Sequence, residues 1–129
     1  MMAVASTGKA LGAAKDTEVD FSLIDVAAIS WQTDIVLRLR MGTTTRAAMD
    51  RHLPKMANEL NRLLGEDLGA EDNREVRELI REGTRLIDLT NRPTVETLTF
   101  GTFVYLRDIA LLTRRLLWIY SERNGLNAP

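Results

Sequence analysis

Apolar positions recur along this chain in four blocks. In each block they stand three and four residues apart, which puts them on one side of a helix. In the first block Ile24, Ala28, Trp31, Ile35 and Leu39 form a face that Val26, Ile29 and Val36 widen. This predicts a helix over 20–40, capped near Asp20 or Ser22 and stopped by Gly42. The second block, Met49, Leu53, Met56, Leu60 and Leu63 or Leu64, predicts a helix over 44–64 kinked at Pro54, where a backbone donor is missing. Val76, Leu79, Ile80, Gly83, Leu86 and Ile87 mark a third helix over 72–91, opened by a capping box from Asp72 to Glu75.

The fourth block, 94–122, is the one around which the others are expected to assemble. Val95, Leu98, Tyr105, Ile109, Leu112, Leu116 and Ile119 make one stripe, and Phe103, Leu106, Ala110, Leu117 and Tyr120 make a second beside it. Only a narrow polar strip remains, carried by Arg107, Asp108, Arg114 and Arg115. A surface helix shows an apolar face of about 100°. A wider one belongs to a helix at the centre of a bundle or shared between subunits. A straight helix over 94–122 would be about 43 Å long against a domain about 36 Å across, so a bend is expected at Gly101. The expected fold is all-α, a four-helix bundle over 20–124, with a flexible N-terminal tail over 1–19 and a short C-terminal tail over 125–129.

Composition narrows the chemistry. The 129 residues are 45% hydrophobic and 27% charged, enough for one core without staples. Cysteine is absent, which excludes disulfides, thiolate metal sites and a cysteine nucleophile. The net charge of −1 gives no global case for binding nucleic acid or an anionic membrane. No apolar run approaches the roughly 20 residues that span a bilayer, so a soluble, cytoplasmic protein is expected.

The only histidine is His52, six residues after Arg46. Arginine, five residues and histidine resembles the signature of HEPN-type ribonucleases, small all-helical and usually dimeric proteins. The resemblance implies that Arg46 and His52 would line a cleft at a dimer interface and act on RNA. It covers seven residues, and Ala47 stands where that family carries a polar residue. Glu75, Glu78 and Glu82 resemble the magnesium-binding carboxylates of all-helical nucleotide pyrophosphohydrolases, but the second acidic motif is missing, and an alternating-sign solvated helix explains them better. Arg38, Arg40, Arg46 and Arg51 cluster around the first interhelical turn and are the candidate nucleic-acid contacts. Their plainer role is helix-end charge, paired with Asp34 and Asp50. For Arg114 and Arg115, Asp25 and Asp34 are the expected partners.

No catalytic residue, cofactor or metal is expected. The leading expectation is a non-enzymatic interaction or assembly protein that forms a homo-oligomer or binds another protein. Its interface residues would be Trp31, Phe103, Tyr105, Leu106, Ala110, Leu117, Trp118 and Tyr120, because aromatic side chains are enriched in interface cores. The alternative is a nucleic-acid-directed protein, either HEPN-like through Arg46 and His52 or a helical DNA-binding regulator.

Overall fold

A computed structural model of the chain describes residues 24–126. The expected tail over 1–19, residues 127–129 of the expected tail over 125–129, and a cap at Asp20 or Ser22 lie outside them. Among the described residues the protein is an all-α four-helix bundle: α1 (Val26–Leu37), α2 (Arg46–Leu64), α3 (Arg74–Ile87) and α4 (Thr99–Arg123), with short 3-10 turns at Ala70–Asp72 and Leu89–Asn91.

Each helix begins where a short polar side chain offers an acceptor, and α4 is the exception. Asp25 accepts from the Ala28 amide at 3.0 Å, Thr45 from Ala48 at 3.1 Å and Asn73 from Val76 at 3.2 Å. The expected cap of α3 was therefore one residue early, because Asp72 is still in the 3-10 turn that Gly69 opens at a φ of 82°. That left-handed backbone suits glycine, and a β-carbon there would lie 2.6 Å from Nη1 of Arg123. α1 stops at Leu37, well before Gly42, because the chain reverses over Arg40–Thr44, where the Thr43 and Thr44 amides both bond the Arg40 carbonyl. α2 runs through Pro54 as one element.

α4 begins at Thr99 and not at Thr94. Residues 94–98 form a turn in which the Thr94 amide donates to Oγ1 of Thr97, 2.9 Å away. The Arg46 guanidinium holds this turn from α2 by bonding the carbonyls of Thr94, at 2.6 Å, and Thr97. Val95 and Leu98, assigned above to the buried stripe, consequently face water, 95% and 79% exposed. Gly101 falls in the first turn of α4, so no bend is needed there. The 25 residues of α4 extend about 37 Å.

α2 and α4 lie side by side and run in the same direction. Arg46 reaches the turn before α4 at one end, and Arg123 meets Asp67 at 3.4 Å just past the other. α1 and α3 run opposite to both and pack against them. Leu60, Leu63, Leu106, Ile109, Ala110, Leu116 and Leu117 form the centre at 0–1% exposure. Gly83 lets α3 approach closely, since a β-carbon there would stand 2.9 Å from Cδ2 of Leu64 and 3.3 Å from Cδ2 of Leu112. Buried Thr33 and Thr102 turn their hydroxyls to the carbonyls one turn back, at 2.7 and 3.2 Å. Glu59, Thr113 and Ser121 are also buried, each with an oxygen that has no partner among the described residues.

Candidate interaction face

Where α4 turns away from α2, six of its exposed positions follow a spacing of four, three, four, three and four: Phe100, Val104, Arg107, Leu111, Arg114 and Trp118, with Asp108 and Arg115 beside them. Such a spacing keeps six side chains on one line along a helix, as in a coiled-coil seam. Phe100 is 64% exposed, Leu111 40% and Trp118 48%, so this line is apolar and open. The edge of α1 forms one wall of a shallow groove along it, with Asp34, Leu37 and Arg38 beside Arg107, Leu111 and Arg114. α3 supplies the other wall, where Asn73, Glu75 and Val76 adjoin Arg115 and Trp118. Trp31, 67% exposed, lies on the same edge of α1 as Arg38, seven residues earlier.

The charges of this groove are unequal. Arg115 is tied to Glu75 of α3, which replaces the expected pairing with Asp25 or Asp34. Arg38, Arg107 and Arg114 have no carboxylate within salt-bridge distance among the described residues, although Asp34 shares their groove. Toward α1 three guanidiniums therefore stand beside one carboxylate, whereas toward α3 the groove carries Asp72, Glu75 and Glu122 with Arg115 and Arg123.

The eight interface residues named from the sequence separate into groups. Leu106, Ala110 and Leu117 are 0–1% exposed inside the chain's own core and have no surface to offer a partner. Tyr105 gives its hydroxyl proton to the Leu86 carbonyl of α3, and burial pushes that phenol up from its ordinary pKa of 10. Phe103 and Tyr120 are half-buried against the core. Trp31 and Trp118 alone remain open. Val104 and Leu111 were missed because they sit among the arginines of the polar strip; their seven-residue spacing with Trp118 was the available signal.

Arg46 and His52 are not brought into one cleft. Arg46 is engaged by Asp50 at 3.0 Å and by the turn before α4. His52 meets Gln32 of α1, Nδ1 to Nε2 at 3.0 Å, and burial followed by the nearby Arg51 charge lowers its pKa below 6.5. Six residues along a helix are a third of a turn away from alignment, so the two side chains serve different neighbours. Of the four candidate nucleic-acid arginines, Arg46 is thus structural, while Arg38, Arg40 and Arg51 are exposed. The α3 carboxylates each face arginine: Glu75 with Arg115, Glu78 with Arg81 at 3.4 Å, and Glu82 with Arg85 at 2.6 Å. The Arg85 hydrogen bond holds the Glu82 carboxyl below its usual range. No group of three metal-ligating side chains gathers among the described residues. There too, no helix is long and apolar enough to cross a membrane.

Set against known protein families, curated proteins and solved structures, the chain matches none of them. The groove on α4 therefore stands on its geometry alone.

Proposed function

We propose that the chain is a non-enzymatic interaction protein, a small helical bundle whose work is to dock on another helix-bearing surface. The observation that supports this is the open line Phe100, Val104, Leu111 and Trp118 on the outer face of α4, with Trp31 at its margin. Scattered exposed apolar residues are ordinary, but contiguous ones rimmed by charge mark interaction sites. Tryptophan and arginine, which dominate this face, are the residue types on which binding energy concentrates.

Affinity capture from the native source tests the reading. Wild-type chain is compared with a Leu111→Asp, Trp118→Ser double variant whose fold is checked by circular dichroism. The proteins retained should differ, with one or more lost from the variant. Identical sets would overturn the proposal. Self-association is the form expected from the sequence, through a set of residues that shares only Trp31 and Trp118 with this open face. Sedimentation at micromolar concentration separates the two forms: a mass above the 14.5 kDa of one chain that falls back in the double variant assigns the face to a second copy, and 14.5 kDa leaves it to another protein.

A further inference from the structure

We infer that the cavity between α2, α4 and the loop after α3 binds a small organic acid, with Arg92 meeting its carboxylate and Leu53, Pro54, Ala57 and Tyr105 covering its apolar body. This goes beyond the docking reading above and shares no residue with the open face of α4.

The cavity holds about 250 Å³, with Asp50, Leu53, Pro54 and Ala57 of α2 on one side and Arg92 of the loop and Tyr105 of α4 on the other. Sites for drug-sized molecules run from about 300 to 1,000 Å³, so the occupant here is smaller. Such sites are mostly apolar, with a few polar groups that fix orientation. Tyr105 spends its hydroxyl on the Leu86 carbonyl, so it offers the cavity its ring and not a donor.

Arg92 is the polar group without a counterpart. Among the described arginines only Arg46 and Arg92 are not exposed. Arg46 has its carboxylate in Asp50, at 3.0 Å, whereas Arg92 has none within salt-bridge distance among the described residues. Its Nε donates to the Ile87 carbonyl at 2.9 Å, which caps the end of α3 and fixes the plane of the guanidinium. That cap uses one nitrogen. The two terminal nitrogens donate to no group among the described residues. The carboxylates nearby are engaged elsewhere. Asp50 holds Arg46, and Asp88, although it feels the Arg92 charge, accepts from the amide and the hydroxyl of Thr90 at 2.9 and 2.8 Å. A charge drawn partly out of water is costly without a partner. A carboxylate supplies one, since its two oxygens accept in parallel from the two terminal nitrogens.

Other small ligands fit less well. Inorganic phosphate would answer Arg92 but leave Leu53, Pro54 and Ala57 uncovered, and its second charge would face Asp50. An amine would set like charge against Arg92.

The probe is phenylacetate, compared with phenylacetamide, benzylamine and inorganic phosphate, each titrated into the full chain and followed by heteronuclear NMR. Phenylacetate should move the amides of Leu53, Ala57, Arg92 and Tyr105 saturably, and phenylacetamide should bind at least about tenfold more weakly. Arg92→Gln should bring the acid down to the level of the amide, and Arg92→Lys, which keeps the charge but not the fork, should stand between. Leu53→Trp, filling the cavity from a half-buried position with Arg92 intact, should abolish binding of both. Each variant must leave the amide spectrum of the rest of the bundle in place. Equal binding of acid and amide, no saturable shift by about 10 mM phenylacetate, or full affinity in Arg92→Gln overturns the inference. So does a response to phosphate or benzylamine that matches the acid. A carboxylate can also end a peptide, and tighter binding of acetylated glycyl-glycyl-phenylalanine than of phenylacetate would give the cavity to a chain terminus instead.

Discussion

Toward α2, α4 presents Leu106, Ile109, Ala110, Thr113, Leu116 and Leu117, all at 0–1% exposure; away from it, the same helix presents Phe100, Val104, Leu111 and Trp118, 38–64% exposed. Both faces are apolar and both keep helical spacing. The difference lies between the apolar residues. The inner face interleaves them with alanine and threonine, which let α2 approach closely and, for Thr102, return the hydroxyl to the helix's own backbone. The outer face interleaves them with arginine, whose charge stays hydrated and keeps the chain's own helices off. Apolarity thus makes a helix sticky on both sides, and the residues between decide which side the chain uses for itself.

The sharpest way to break that contrast is to remove one leucine from each face. Leu117→Ala should cost about 2–5 kcal/mol, as expected of a buried leucine whose cavity does not collapse. Leu111→Ala should cost about 0.5 kcal/mol, because its site is already in water. Urea unfolding monitored by circular dichroism measures both, and comparable losses would mean that the two faces are not different surfaces.

Arginines can be divided in the same manner. Arg46 bonds two carbonyls and a carboxylate, and hydrogen bonds to charged groups contribute about 1.5–3 kcal/mol each at best. Arg46→Ala should cost about 2 kcal/mol and expose the amides of residues 94–98 to hydrogen exchange, whereas the exposed Arg51→Ala should stay within about 0.5 kcal/mol. Unchanged exchange in that turn would refute the role given to Arg46. A smaller effect is expected at the start of α3, where Asn73→Ala should cost about 1 kcal/mol and Asp72→Ala much less. The reverse order would restore the cap read from the sequence.

The smallest effect concerns pH. Because the folded chain lowers the pKa of His52, both states are neutral above about 6.5 and stability is then at its fullest. As pH falls through that value the unfolded chain takes up its proton first. Stability should decline until folded His52 also protonates, and His52→Gln should remove that slope. Urea midpoints between pH 5 and 7.5 decide it, identical profiles counting against the assignment.

Periodicity made the four helices and their order legible, since α1 to α4 each fall within a block of residues three and four apart. Ends were harder to read. Asp72 and Asn73 are both good caps, and only the turn at Gly69 decides between them. Val95 and Leu98 keep helical spacing with Leu106 and Ile109, yet Arg46, some fifty positions earlier, holds 94–98 in a turn. Such long-range bonds leave no local signal. The same limit applied to the candidate face: two apolar stripes were visible on α4, but their burial depended on where α2 lay. The third line, hidden among arginines, reads as a polar surface until its spacing is counted.

α4, around which the others pack, follows them in chain order. α1 packs chiefly on α4, and the bonds that tie α2 and the loop after it to α4 and the turn before it span 48 and 56 residues, as in Arg46 with Thr94 and Asp67 with Arg123. During synthesis, at about 5–20 residues per second, α2 and α3 can pair as they emerge, but α1 would stay uncovered until α4 follows. The bundle would close only once the last turns of α4 emerge. A chain cut short before Leu116 would leave α1 and α2 without part of their cover, open to chaperones and proteases.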